Sequence, residues 1–263
     1  MQIDQSQIIL TGAASGIGRA LLGLLVDHPC RVIAVDIQPD RLEDAIRAAG
    51  GQAEVIPYVG DMGNAQDIDA LFDLALSALG GIDLLIACAG FAYYEKLEQA
   101  EWDRLARIFE VNTLGPIYAA VRMREINRDR PYKVVMVASA MARLAIPGYA
   151  IYSATKAALD RFAEGYRLEL DDPARLLLVY PIGTRTGFFH RSARGKDAPY
   201  PWPTQNAEHV ARCILRGIER DQQAVHPSRL FMALLLADRL FPLTRRLEQA
   251  IELRRFRRWL HQM

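Results

Sequence analysis

Six short and almost wholly apolar runs punctuate the chain: QIIL (7–10), RVIAVD (31–36), AEVIPYV (53–59), IDLLIACA (82–89), YKVVMVA (132–138) and ARLLLVY (174–180). A strand with one wet face alternates apolar and polar residues. Continuous runs therefore predict strands covered on both faces, the condition of a parallel sheet. Helical patterns fill the intervals at 17–27, 39–49, 64–79, 98–128, 151–171 and 205–220. Strand and helix thus alternate through most of the chain, which predicts an α/β fold: a doubly wound, Rossmann-type parallel sheet with helices on both faces. A length of 263 residues suits one such unit, and neither a long-period repeat nor a Ser/Gly linker divides it.

The first strand runs directly into TGAASGIG (11–18) and a helical pattern. A strand-to-helix turn of small residues, here Gly12, Ser15, Gly16, Ile17 and Gly18, lets backbone N–H groups approach a pyrophosphate beside a helix N-terminus. The second strand ends in Asp36, where a carboxylate can accept from adenosine ribose hydroxyls and would repel a 2′-phosphate. No basic residue replaces Ser15, and Ile37 follows the acid, so NAD is expected ahead of NADP, with Arg41 the nearest candidate cation for a 2′-phosphate. Residues 1–227 are read as a dinucleotide-binding and catalytic domain, and 228–263 as a C-terminal amphipathic helical extension.

The extension reads as two helices broken near Pro242, with Leu247, Ile251, Phe256, Trp259 and Leu260 forming an imperfect apolar stripe beside a basic face. Three roles stand open for it: a cap over the substrate cleft, a dimer contact, or a peripheral membrane contact. Its longest uncharged apolar run, Leu230 to Ala237, is far short of a bilayer span. Eight arginines stand against three acids after Pro227, but the net charge of the whole chain is only +1, which argues against nucleic-acid binding. Three widely spaced cysteines offer neither a disulfide framework nor a CxxC motif. With an N-terminus that lacks the pattern of an export signal, they lead us to expect a cytoplasmic protein, with the membrane periphery as the further option. The five histidines show no HxH or HExxH spacing, so no metal is expected.

YSATK places Tyr152 and Lys156 four apart in a helical segment, one turn from each other on one face. An ammonium beside a phenol lowers the phenol's pKa, which proton transfer near neutrality requires. Ser139 follows the fifth run, at the carboxyl edge where open α/β sheets place their ligands, and Asn112 is a polar residue inside the long helix before that run. TGAASGIG, the triplet CAG (88–90), Asn112 in VNTLG, Ser139 in VASAMA and the Tyr152/Lys156 pair together resemble the short-chain dehydrogenase/reductase family in its compact sub-class, over about residues 7–220. The resemblance implies that Tyr152 is the general acid/base, that Lys156 lowers its pKa and holds the nicotinamide ribose, that Ser139 positions the reacting oxygen, and that Asn112 holds a water of a proton relay. It also implies coenzyme contacts from Asp61 and Met62, from Ala89 and Gly90, and from Pro181, Thr184 and Thr186. Two positions depart from the family's pattern: Cys88 stands for an asparagine, and Ile182 for the first glycine after the sixth strand. A homodimer or homotetramer, packed through the helices bearing Asn112 and Tyr152, is implied as well.

The reaction expected is hydride transfer between NAD(H) and a small-molecule secondary alcohol or ketone. Phe91, Tyr93 and Tyr94, and in the segment after Thr186 Phe188, Phe189, Tyr200 and Trp202, suggest a hydrophobic or lipid-like substrate. Arg191, Arg194 and Lys196 suggest an anionic one. Two other readings stand beside these: a non-catalytic dinucleotide-sensing interaction protein, and an epimerase or dehydratase on the same fold.

Overall fold

The computed structural model describes residues 1–193, 198, 199, 203–240 and 243–261, and their side chains except within 235–248. The six runs form strands β1 (Gln7–Thr11), β2 (Arg31–Asp36), β3 (Glu54–Val59), β4 (Leu84–Ala87), β5 (Lys133–Val137) and β6 (Leu176–Val179). Three strands were not expected: β7 (Gly183–Arg185) and β8 (Thr204–Asn206), which pair with each other, and β9 (Ala224–Val225), which adds to β6. The main sheet has the order β3-β2-β1-β4-β5-β6-β9, and every pairing is parallel. The chain reverses direction across the sheet between β1 and β4, and a crevice opens there at the carboxyl ends of the strands.

Alternate residues of each strand feed two cores. Helices α1 (Gly16–Leu25), α2 (Pro39–Ala49) and α8 (Ala207–Glu219) cover one face, where Leu21, Leu42 and Ile214 pack with Ile8, Leu10 and Val32. On the other, α3 (Ala65–Leu79), α5 (Gly115–Ile126) and α6 (Ala150–Leu168) bring Phe72, Met123 and Leu159 against Ile9, Ile33 and Met136. Local chemistry marks the ends: Asn64 caps α3 by accepting from the amides of Gln66 and Asp67, and Gly80 ends the helix in the left-handed region.

The helix expected over 98–128 is instead three pieces: α4 (Trp102–Phe109), a π-helical turn Glu110–Leu114, and α5. The cause is local, because Pro116 has no N–H to offer the Asn112 carbonyl four residues earlier, and the Gly115 N–H bonds five residues back to Glu110.

Beyond β9 lie α9 (Arg229–Leu240) and α10 (Leu243–Leu260), on either side of residues 241–242; Pro242, where the break was expected, is outside the described residues, and so is the Leu247 side chain. Phe256 and Trp259 are buried against Tyr94 at ring-centroid distances of 5.4 and 4.6 Å, and Leu260 is half-buried, whereas Ile251 is exposed. The stripe turns its later part onto the body of the protein. Among the described residues no helix is long and apolar enough to cross a membrane. At the opposite edge of the sheet the buried Lys133 ammonium pairs with Asp221 at 2.5 Å, and the chain's N-terminal amine reaches the same carboxylate at 3.1 Å.

Candidate active site

The turn after β1 is built by close approach. Gly12 has φ +71°, and a Cβ there would lie 2.9 Å from the backbone of Ala89; a Cβ on Gly18 would meet the Gly12 carbonyl at 2.0 Å. Gly18 therefore serves the packing of α1 on the turn, while Gly12, Ser15, Gly16 and Ile17 face a cavity of about 650 Å³. That cavity runs past Asp36, then past Asp61 and Met62, and on to Ala89 and Gly90. Ser139, Tyr152 and Lys156 line it as well, as do Pro181, Thr184 and Thr186. Of the expected catalytic and coenzyme-contact residues, only Gly18 and Asn112 do not border it.

Each of these groups has a physical anchor. The Asp36 carboxylate accepts from the amides of Ala14 and Gln38, both at 3.1 Å, which fixes its orientation and leaves acceptor capacity toward the cavity. Thr11, which the sequence reading did not single out, accepts from the amides of Cys88 and Ala89 at 3.1 Å, so the CAG segment is held from the backbone although Cys88 lacks an amide side chain. Burial pushes the Cys88 thiol up to about 12, which keeps it a protonated packing group. Against the cost of burial, the Arg107 guanidinium (2.6 Å) and the Gly63 amide hold the Asp61 carboxyl below its usual range. Pro181 accepts from the Ala140 amide, Thr184 donates to the Ile182 carbonyl, and Thr186 accepts from the Phe188 amide.

Ser139 caps the single turn Ala140–Ala142 by accepting from the Met141 amide at 3.1 Å, which aims its hydroxyl at the end of β5. Tyr152 and Lys156 are both buried on α6, with the lysine Nζ 5.8 Å from the centre of the phenol ring. Lys156 donates to the Val137 carbonyl at 2.9 Å, which uses one of its three N–H groups. Burial pushes its pKa down to about 8. Burial likewise pushes Tyr152 up to about 12, offset in part by its interaction with Ser139. Desolvation is the largest cause at both groups, because both have lost their water.

The two N–H groups of the Asn112 side chain go to the Phe91 carbonyl at 2.8 Å and the Thr155 hydroxyl at 3.2 Å, and its oxygen accepts from the Phe91 amide at 3.0 Å. The side chain thus locks the residue after the CAG segment to α6.

The substrate end of the cavity is lined by Phe91, Tyr93, Met141, Ile146, Phe188 and Phe189, and α9 adds Phe231. Phe188 packs edge-on to Tyr152 at 5.5 Å. Tyr94, expected with this group, lies behind it against Tyr149 and α10. Tyr200, Trp202, Arg194 and Lys196 lie outside the described residues. Arg191 borders the same cavity and donates to the Ser15 hydroxyl at 3.3 Å. No cluster of metal-ligating side chains occurs among the described residues.

The residues fit a dinucleotide. A glycine turn opening a helix, a backbone-anchored carboxylate one strand away, and a buried ammonium with unspent donors border one continuous cavity. The model of the short chain dehydrogenase family matches residues 6–197. Among curated proteins the chain is similar to "Short chain aldehyde dehydrogenase 1" of Euphorbia lathyris, 30% identical over 75% of this chain and 70% of the relative. It is also similar to "1-deoxy-11-beta-hydroxypentalenate dehydrogenase" of Streptomyces avermitilis, 33% identical over 69% of each chain. A short chain dehydrogenase/reductase from Burkholderia phymatum, solved in complex with NAD, shares the fold with a TM-score of 0.73 at 24% identity, covering 89% of this chain and 92% of that one.

Proposed function

This chain belongs to the short-chain dehydrogenase family and is an NAD(P)-dependent dehydrogenase acting on CH–OH groups, and we propose that it interconverts a hydrophobic or lipid-like secondary alcohol and its ketone with NAD(H) as coenzyme. The observation that carries the proposal is that Ser139, Tyr152 and Lys156 border the same cavity as the glycine turn and Asp36. A nicotinamide coenzyme held by the glycine turn, Asp36 and Lys156 would supply or accept the hydride and, oxidised, would contribute positive charge to the site.

The chain's own residues do the rest. Tyr152 takes the hydroxyl proton in oxidation and returns it to the carbonyl oxygen in reduction. Ser139 donates to the same oxygen and fixes its distance from the phenol. Lys156 holds the coenzyme ribose through its unspent N–H groups and, as a cation, favours the tyrosinate. Phe188, Phe189 and Phe231 exclude water from the reacting end and favour an apolar substrate. Asp36, with both oxygens already oriented by amides, supports NAD over NADP. We extend the proposal to a cytoplasmic homodimer or homotetramer whose residues 228–263 close the substrate side of the catalytic unit 1–227.

A screen of apolar secondary alcohols and ketones by NADH absorbance, with NADPH in parallel, tests the reading. Tyr152→Phe should reduce turnover by about 10²- to 10⁴-fold and leave NADH affinity within twofold. Asp36→Ala should narrow the gap between NADH and NADPH. Full activity in Tyr152→Phe, with loss of function on removal of 228–263, would instead favour a coenzyme-sensing interaction protein.

A further inference from the structure

Ser15 stands at the N-cap of α1, but its side chain makes no capping bond, and the first turn of α1 carries no acidic residue. No capping side chain or carboxylate therefore meets the first amides of this ten-residue helix, where the Gly18 amide turns to the Cys88 sulfur, and the helix dipole favours an anion. The turn contains no cation of its own. One arrives from elsewhere: Arg191, on the five-residue helix α7 (Phe188–Ser192), reaches back across 176 residues of sequence to the Ser15 hydroxyl and borders the cavity there. Its guanidinium makes no ion pair with a carboxylate among the described residues. Burial and the neighbouring Arg41 hold its pKa below the usual arginine range, while Asp36 works in the opposite sense. A guanidinium without a carboxylate partner, close to a second one and set at a helix N-terminus without a capping side chain, is a site arranged for negative charge.

We propose that Arg191 binds a phosphate oxygen of the dinucleotide at Ser15, supplying from the substrate-side segment the cation that the glycine turn lacks. The inference rests on the coenzyme reading above and deepens it. It gives Arg191 a different role from recognition of an anionic substrate, because the guanidinium bonds to the turn at Ser15. The same chemistry serves two phosphates: the pyrophosphate, common to both coenzymes, and the 2′-phosphate of NADP, for which Arg41 stands near. A further consequence is structural. The segment after Thr186 carries Phe188 and Phe189 into the substrate end, so a phosphate held by Arg191 ties the position of those rings to coenzyme occupancy.

Calorimetric titration of wild type, Arg191→Gln and Arg191→Lys with NADH and NADPH, at low and high salt, tests this. Arg191→Gln should weaken NADH binding about tenfold, and Arg191→Lys less, since it keeps the charge and loses the planar fork. The loss should shrink as salt screens the wild-type contact. Equal losses for both coenzymes place the guanidinium on the pyrophosphate; a loss confined to NADPH places it on the 2′-phosphate. Unchanged affinity of both variants for both coenzymes would overturn the assignment and leave the coenzyme reading intact. A wild-type protein that binds neither coenzyme overturns both. Unaltered melting of the coenzyme-free variants separates a lost contact from a damaged fold.

Discussion

Lys156 is the residue at which stability and chemistry pull hardest against each other. Its pKa falls from the ordinary 10.5 to about 8 because the native state buries the ammonium. The unfolded chain keeps that proton up to about 10.5, so between the two values it holds more protons than the native state, and native stability rises with pH across that window. Below pH 8 the burial costs the full difference, on the order of 3 kcal/mol. Lys156→Met should therefore raise the melting temperature of the coenzyme-free protein at pH 7, with the gain fading by pH 10, and should remove most of the turnover. Thermal melts at the two pH values check the sign; a Met variant that melts lower at pH 7 would contradict it. The lysine and its tyrosine were legible in the sequence because a helix makes four-residue spacing a spatial statement. Thr11 and Arg191 were not, since each acts on backbone or side chains more than 75 positions away, and no local pattern carries that information.

At the scale of elements, the six long strands were readable because burial on both faces leaves an unbroken apolar run. β7 and β8 have three residues each and β9 two, too few for any periodicity to register. The 98–128 helix misled for a different reason: helical periodicity continues through residues 110–114, and only the missing N–H of Pro116 signals the π-turn that sets Asn112 between Phe91 and Thr155. In α10 the apolar stripe was visible but its partner was not. Trp259 and Phe256 close over Tyr94, which backs the aromatic wall of the cavity. Trp259→Ala should cost about 3 kcal/mol in urea unfolding. It should also raise KM for the substrate several-fold while the NADH dissociation constant stays put, a split that steady-state kinetics and direct titration resolve. Equal losses in both constants would mean that α10 supports the whole site rather than its substrate end.

Across the whole molecule the two edges of the sheet do different work. The carboxyl edge carries Asp36, Ser139 and the aromatic wall, where desolvated groups are held at a cost in stability. The opposite edge is fastened: Asp221, after α8, accepts from Lys133 at the start of β5 and from the N-terminal amine. The Asp221 carboxyl is held below its usual range by the Lys133 hydrogen bond first, which with the N-terminal amine outweighs the opposing cost of burial. A lowered carboxylate pKa stabilises the native state above its ordinary value near 4, and the contribution is lost as pH falls through the depressed one. Asp221→Asn should destabilise by about 2 kcal/mol at pH 7, less than the 3–5 typical of a fully buried pair because Asp221 is half open to solvent. Its deficit should vanish in strong acid, where wild type and variant should unfold alike; a deficit that persists there would assign the effect to the backbone turn at Asp221, whose φ is +50°.

Phe231 lies in α9, beyond the last strand, yet it borders the same cavity as Tyr152. On the proposed reading, α9 would then help to shape what the pocket admits, while the groups proposed for coenzyme and proton lie on the earlier strands and helices, so a change at Phe231 would alter the pocket without touching any of them.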